Sequence, residues 1–258
     1  IGGEIERLVR PLPGTRSVFA ERVTGGHFVD FTPRRDQLAR HGLTITSVCA
    51  HANLLDASSP AVYSTVEILK AIRLAAGMGV RDVITTEGDP KSAWGHSLSW
   101  DEKVFVTAEK LHEPLRLAKA YGVRILLEPH GELTDSIKGM QAIMDRLGNH
   151  DHLGVNMDTG NSWLGGADPV EMAKVFRDKI FHIHWKDLPA DWEAKRGSMY
   201  GCGFGPIALG EGSRGGGDLG LQGWNLTSVH VNVIIAANPG GDLFRLAIAI
   251  LEQAMSDA

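Results

Sequence analysis

The segment GVRILLEPHG (122–131) shows the pattern that decides the fold. Gly122 follows a helical pattern and is a usual helix stop, and the apolar run 123–127 predicts a strand. Glu128 and His130 come directly after that strand. The segment therefore predicts a helix, a strand and then polar side chains at the carboxyl end of the strand.

The same unit recurs on both sides of this segment at intervals of roughly 30 residues, as expected for βαβ units. Repeated βα units imply a parallel sheet with right-handed crossovers. No Gly-rich strand-to-helix turn of the dinucleotide or P-loop type is present, which favours a barrel over an open doubly wound sheet. Strands are predicted at 43–48, 80–85, 123–127, 153–157 and 180–185, and helices at 64–79, 99–121, 134–147, from Asp168-Pro169 onwards and at 243–255.

Length and composition agree with one large domain. The chain has 258 residues, of which 43% are hydrophobic, and barrels of about 250 residues form single domains. We therefore expect one domain over 1–258, with two atypical stretches, 1–40 and 212–240. Residues 1–30 contain no convincing first strand. Seven glycines lie within 210–223, and each would cost ~1 kcal/mol inside a helix, so irregular seventh and eighth strands are expected.

Charge and cysteine content narrow the class of protein. The net charge of -5 argues against a nucleic-acid binder, which usually has a basic surplus. Two cysteines exclude a disulfide framework and favour a reducing compartment, so we expect a cytoplasmic protein. No apolar run approaches the ~20 residues of a membrane span.

Strong metal ligands fall at the carboxyl ends of three neighbouring predicted strands, where barrel enzymes carry their function. These residues are Glu128, Asp158 and His184. Two carboxylates and one imidazole suit a divalent ion such as Mn²⁺, Mg²⁺, Co²⁺ or Zn²⁺. A structural ion-pair network is the alternative interpretation. His182 shares a strand face with His184, and only one of the two need bind a metal.

Five segments together resemble the sugar phosphate isomerase/epimerase superfamily, the xylose isomerase-like barrels. They are HGLTITSVCAHAN (41–53), GVRILLEPHG (122–131), LGVNMDTGN (153–161), FHIHWKD (181–187) and IALGEG (207–212). The resemblance implies a (β/α)₈ TIM barrel with a divalent metal, Mn²⁺ first, held by Glu128, Asp158 and His184 at its mouth.

The resemblance also implies roles for the surrounding side chains in carbohydrate metabolism. Such proteins are metal-dependent isomerases or epimerases that convert a ketose through an enediolate. We expect catalytic roles for Glu128, His130 and Lys186, and substrate contacts from His51, Asn53, Glu87, Asn161 and His182. The expected partner is a small sugar, with no nucleic acid or membrane; a homo-oligomer or a second subunit stays open.

One departure from the family pattern bears on the reaction. The last strand normally carries a fourth ligand, a Glu, but Trp224 is followed here by NLTSVHVNVIIAAN, which contains none. Epimerisation needs proton transfer on both faces of the sugar, so this loss favours a reaction on one face. Glu211 lies on the preceding loop and could approach the metal as a substitute.

Two other functions stay open for the scaffold, and a third is rejected. The stretch KRGSMYGCG (195–203) resembles subunits that cleave 3-oxo-glycosides by β-elimination, for which His130 could serve as the base. A degenerate, non-catalytic barrel is the second alternative. The third, an apurinic endonuclease, needs further histidine ligands, but Asn161 and Glu87 stand where they are expected; we reject it.

Overall fold

The computed structural model describes residues 40, 44–55, 63–88 and 93–202. Within these ranges, five parallel strands form one sheet in the order β1-β2-β3-β4-β5. The strands are β1 (Ser47–Cys49), β2 (Asp82–Thr86), β3 (Arg124–Glu128), β4 (Leu153–Asp158) and β5 (Ile180–His184). The helices are α1 (Tyr63–Met78), α2 (Ala93–Ser97), α3 (Trp100–Tyr121), α4 (Ile137–Arg146), α5 (Thr159–Leu164) and α6 (Pro169–Val175), with 3₁₀ turns at Arg177–Lys179 and Ala190–Lys195.

The strands β2 to β5 bury nearly all residues of both faces, as parallel strands covered by helices do, whereas β1 is only half-buried and ends in the exposed Cys49. Ile125 and Leu127 of β3 pack outward with Val155 of β4 and with apolar residues of α1 and α3. The alternate residues of β3 and β4 share the other face, which ends in Glu128 and Asp158. The sheet thus separates an apolar layer beneath the helices from a polar inner face.

An irregularity in the sheet aligns the polar residues of β4 and β5. The register shifts between Val155 and Asn156, after which Asn156 pairs with His182 and Asp158 pairs with His184. Bulges of this kind re-aim side chains and are common beside active sites.

Local sequence signals explain where the helices begin and end. Ser99 and Glu102 form a reciprocal capping box at the start of α3, and Gly122 ends that helix at φ 66°. Asp168 caps α6, whose first residue is Pro169. The predicted start of the helix at Thr134 is wrong, because Ser136 caps α4 while the Thr134 hydroxyl accepts the backbone N–H of His130.

The other predicted strands and helices are compared with the structure wherever it describes the residues. All five predicted strands are observed, but the first is only three residues long, at Ser47–Cys49. The helices α2 and α5 were not predicted from the sequence. Residues 1–39, the stretch 212–240, the helix at 243–255 and Glu211 lie outside the described residues.

Two further observations concern the chain as a whole. The elements named above lie within one compact unit, Ile45–Ala258, and Ile1–Thr44 forms a second unit. Among the described residues, no helix is both long and apolar enough to cross a membrane.

Candidate metal centre

The three predicted ligands converge at the carboxyl ends of β3, β4 and β5. Glu128, Asp158 and His184 are all buried, and each offers a ligand atom within 4.8 Å of the others. His184 Nδ1 lies 3.3 Å from Glu128 Oε1 and 3.4 Å from Asp158 Oδ2. Two buried carboxylates this close need a positive partner, because an uncompensated buried charge is costly.

The imidazole of His184 responds to these two carboxylates. Burial alone would lower its pKa, but the contacts with Asp158 and Glu128 outweigh burial and raise the pKa of His184 to about 9. A proton on this ring therefore balances part of the carboxylate charge. A divalent ion fits the same place, since it takes neutral imidazole and carboxylate ligands and releases that proton on binding.

Lys186 supplies a second positive charge to the site. Its Nζ lies 2.7 Å from Asp158 Oδ2, and the lysine side chain is only 11% exposed. Burial opposes the charge on Lys186, but Asp158 outweighs that effect and raises the lysine pKa. Burial likewise opposes the charge on Asp158, yet His184 and Lys186 together hold the pKa of that carboxyl below its usual value. The lysine is therefore charged beside the metal position.

His51 and His130 form a pair on the rim. Their rings meet edge to face with centroids 6.0 Å apart. The ring of His130 also occupies the space that a Cβ on Gly201 would need, and Gly201 has φ 80°. His130 Nδ1 is buried and has no hydrogen-bond partner among the described residues. Burial lowers the pKa of His51 below its usual value, although the charge of Glu128 opposes this effect.

Three residues predicted to contact substrate also contact protein groups within the described part of the chain. Glu87 is buried and accepts the backbone N–H groups of Leu133 and Thr134 at 2.9 and 2.8 Å. Burial raises the pKa of Glu87 to about 7. Asn53 packs against Gly88. His182 is buried, with its Nδ1 2.8 Å from Asn156 Oδ1.

The family follows from this arrangement and from a match along the chain. A family model described as a xylose isomerase-like TIM barrel matches residues 32–224. The chain belongs to this family. The predicted parallel (β/α) barrel and the family resemblance are therefore confirmed.

One curated relative of this xylose isomerase-like barrel is a 3-dehydroshikimate dehydratase from Bacillus anthracis. The two are 32% identical over 69 residues, which is 26% of this chain and 24% of the relative. The match thus spans about a quarter of the curated relative's length.

Solved structures extend the likeness in fold over most of the chain. A xylose isomerase domain protein from Planctomyces limnophilus is 20% identical, with TM-score 0.61 and coverage of 87% of this chain and 83% of that one. The probable 3-dehydroshikimate dehydratase of petrobactin synthesis from Bacillus anthracis is 17% identical, with TM-score 0.59 and coverage of 85% and 82%.

Two further similar structures are a sugar epimerase-like protein and a zinc-bound protein. A D-tagatose 3-epimerase-like protein is 18% identical, with TM-score 0.58 and coverage of 85% and 82%. IOLI, solved with a bound zinc atom, is 19% identical, with TM-score 0.57 and coverage of 76% and 71%. At these identities the likeness establishes the shared fold.

Sequence reasoning missed one buried polar residue of the barrel, Asn156. It is fully buried and contacts Glu128, His182 and His184. Its signal was the two-residue alternation of a strand, because Asn156 shares the face of Asp158. Asn161, predicted to bind substrate, is buried and donates a hydrogen bond to Glu128.

Proposed function

We propose that this chain is a divalent-metal-dependent sugar isomerase or epimerase that removes a proton from the carbon next to the carbonyl of a ketose. The observation that carries this proposal is the convergence of Glu128, Asp158 and His184 on one point at the barrel mouth. The family membership and the sugar epimerase-like structures of the same fold support it. Mn²⁺ is the ion we expect, with Mg²⁺, Co²⁺ and Zn²⁺ as alternatives.

The residues around the metal position have different roles in the proposed proton removal. A bound divalent ion supplies Lewis-acid stabilisation of the negative charge that develops on the substrate oxygen. Lys186 keeps its proton beside Asp158 and adds a fixed positive charge to the same region. We assign the role of proton acceptor to His130, which follows the strand that ends in Glu128. Its buried Nδ1, which has no hydrogen-bond partner among the described residues, supports this assignment.

Dehydration is the second candidate reaction, favoured by the match to the 3-dehydroshikimate dehydratase. Elimination begins with the same proton removal but expels a β-substituent instead of returning the proton. It needs one base on one face, which His130 provides. Because both reactions begin with the same proton removal, the product formed after that step distinguishes them.

Elemental analysis of the purified chain followed by substrate assays in D₂O tests both candidates. We expect one divalent ion per chain and deuterium exchange next to the carbonyl in a panel of ketohexoses, 3-oxo-glycosides and 3-dehydroshikimate. Release of water or of an aglycone assigns the elimination branch, and an aldose product assigns isomerisation. A chain that binds no added Mn²⁺ and exchanges no deuterium would overturn the proposal in favour of a non-catalytic barrel.

A further inference from the structure

Each oxygen of the Glu128 carboxylate accepts a hydrogen bond from a different carboxamide. Asn156 Nδ2 donates to Oε2 at 3.1 Å, and Asn161 Nδ2 donates to Oε1 at 3.2 Å. All three residues are at most 2% exposed. One amide comes from within β4 and the other from α5, so two different elements hold one carboxylate.

The orientation of the Asn161 amide follows from its other neighbours. The backbone N–H of Cys202 can only donate, and it lies 3.0 Å from Asn161 Oδ1. The charged Nζ of Lys186 lies on the same oxygen at 3.4 Å. Because the oxygen faces these donors, the nitrogen of the amide must face Glu128.

The Asn156 amide is oriented by the carboxylate itself. An ionised carboxylate only accepts hydrogen bonds, so Nδ2 must be the atom that faces Glu128. Oδ1 then faces His182 Nδ1 at 2.8 Å, which requires the proton of that imidazole to be on Nδ1. Glu128 and His182 therefore contact opposite ends of the same amide.

We propose that Asn156 and Asn161 are positioning residues that lock Glu128 as a metal ligand, an inference that rests on the proposed metal-dependent function. A carboxylate has about four lone-pair sites. The two amides occupy one on each oxygen, which fixes the carboxylate plane and leaves a lone pair directed at the metal position. Glu128 is then held in one orientation toward the metal position.

Mn²⁺ titration of the metal-free chain tests this inference without an activity assay. The variants are Asn156→Ala and Asn161→Ala, and the control is Thr85→Val. Thr85 is equally buried and donates one hydrogen bond, to the backbone oxygen of Ala50, without touching a ligand. Loss of an outer-shell partner typically weakens metal affinity by about 10–100-fold, so we expect that increase in Kd for each Asn variant and an unchanged Kd for Thr85→Val.

Thermal melting of the metal-free proteins separates positioning from a merely structural role. All three variants lose a buried hydrogen bond and melt at lower temperature, but the Asn variants alone lose affinity at temperatures where every protein is folded. Wild-type affinity in both folded Asn variants would overturn the inference. If Asn156→Ala does not fold, Asn161→Ala decides alone. Failure of the wild type to bind Mn²⁺ would instead overturn the proposed function, and the inference with it.

Discussion

The carboxylate of Glu87, at the end of β2, accepts the backbone N–H of Thr134 at 2.8 Å in the loop that follows β3. The same loop carries His130, whose carbonyl oxygen accepts the N–H of Gly88 at 3.1 Å. Gly131 fits between these groups, since a Cβ there would lie 2.8 Å from Glu87 Oε2. The residues that follow β2 therefore hold the loop of His130 in place through hydrogen bonds to the backbone of that loop.

Replacing Glu87 with Gln should remove a pH dependence of stability. Burial raises the pKa of Glu87 in the folded state to about 7, from an ordinary value of 4.5. A carboxyl with a raised pKa stabilises the fold fully below its unfolded pKa, and this contribution is lost as pH rises to about 7. The shift corresponds to about 3 kcal/mol. Relative to Glu87→Gln, the wild type should therefore gain stability on acidification from pH 7 to 4.5.

Urea unfolding of both proteins at several pH values between 4 and 8 measures this difference. The Gln side chain keeps an oxygen for the two loop N–H groups, so both proteins should be folded throughout. Parallel curves of unfolding free energy against pH would show that Glu87 does not titrate in this range.

Gly201→Ala should displace His130 as well as strain the backbone. A Cβ at Gly201 would collide with the imidazole, whereas Gly197, at a similar φ of 76°, has nothing within 4 Å of its Cβ position. Both Ala variants pay roughly 1 kcal/mol for the left-handed conformation, which makes Gly197→Ala the matched control. We expect turnover to fall in Gly201→Ala only. Equal turnover in the two variants would show that the packing of His130 against Gly201 does not matter.

Strand periodicity predicted the sheet and its rim well, because both depend on local alternation and on strand ends. The same signals could not orient every rim side chain. Thr86 pairs with Glu128 in the sheet, so alternation turns the next residue, Glu87, toward the opposite face. The orientation of Glu87 relative to Glu128 depends on which residues of β2 and β3 pair. The sequence of a single strand does not contain this information.

Asp158→Asn should abolish tight metal binding while leaving the barrel folded. Asn keeps the oxygen that caps α5 by accepting the N–H of Asn161, but it removes the charge that balances Lys186. Breaking a buried ion pair costs about 3 kcal/mol or more. Asp168→Asn is the matched control, since Asp168 caps α6 at the surface. Circular dichroism, urea unfolding and bound-Mn²⁺ analysis measure the result. Full metal occupancy in Asp158→Asn would refute the ligand assignment.

The candidate site could be predicted only in part from the sequence. The three ligands could be predicted because each follows a strand. The contacts of Asn161 could not be predicted. They depend on how α5 packs beside Glu128 and on a hydrogen bond from Cys202, which is 41 residues away along the chain. Contacts of this length are set by tertiary packing and leave no periodic signal.

The last prediction separates the base from the ligand. His130→Gln should lower kcat by about 10²–10⁴-fold, the usual contribution of a general base, with Mn²⁺ affinity unchanged. Glu128→Gln should also lower turnover by at least about 10²-fold, but through a weakened metal site, so its Mn²⁺ affinity should fall in parallel. With one base on one face, assays of ketohexoses in D₂O should give isomerisation or elimination without inversion. Rapid formation of the C3 epimer with deuterium at C3 would show a second base on the opposite face and contradict the one-faced reaction.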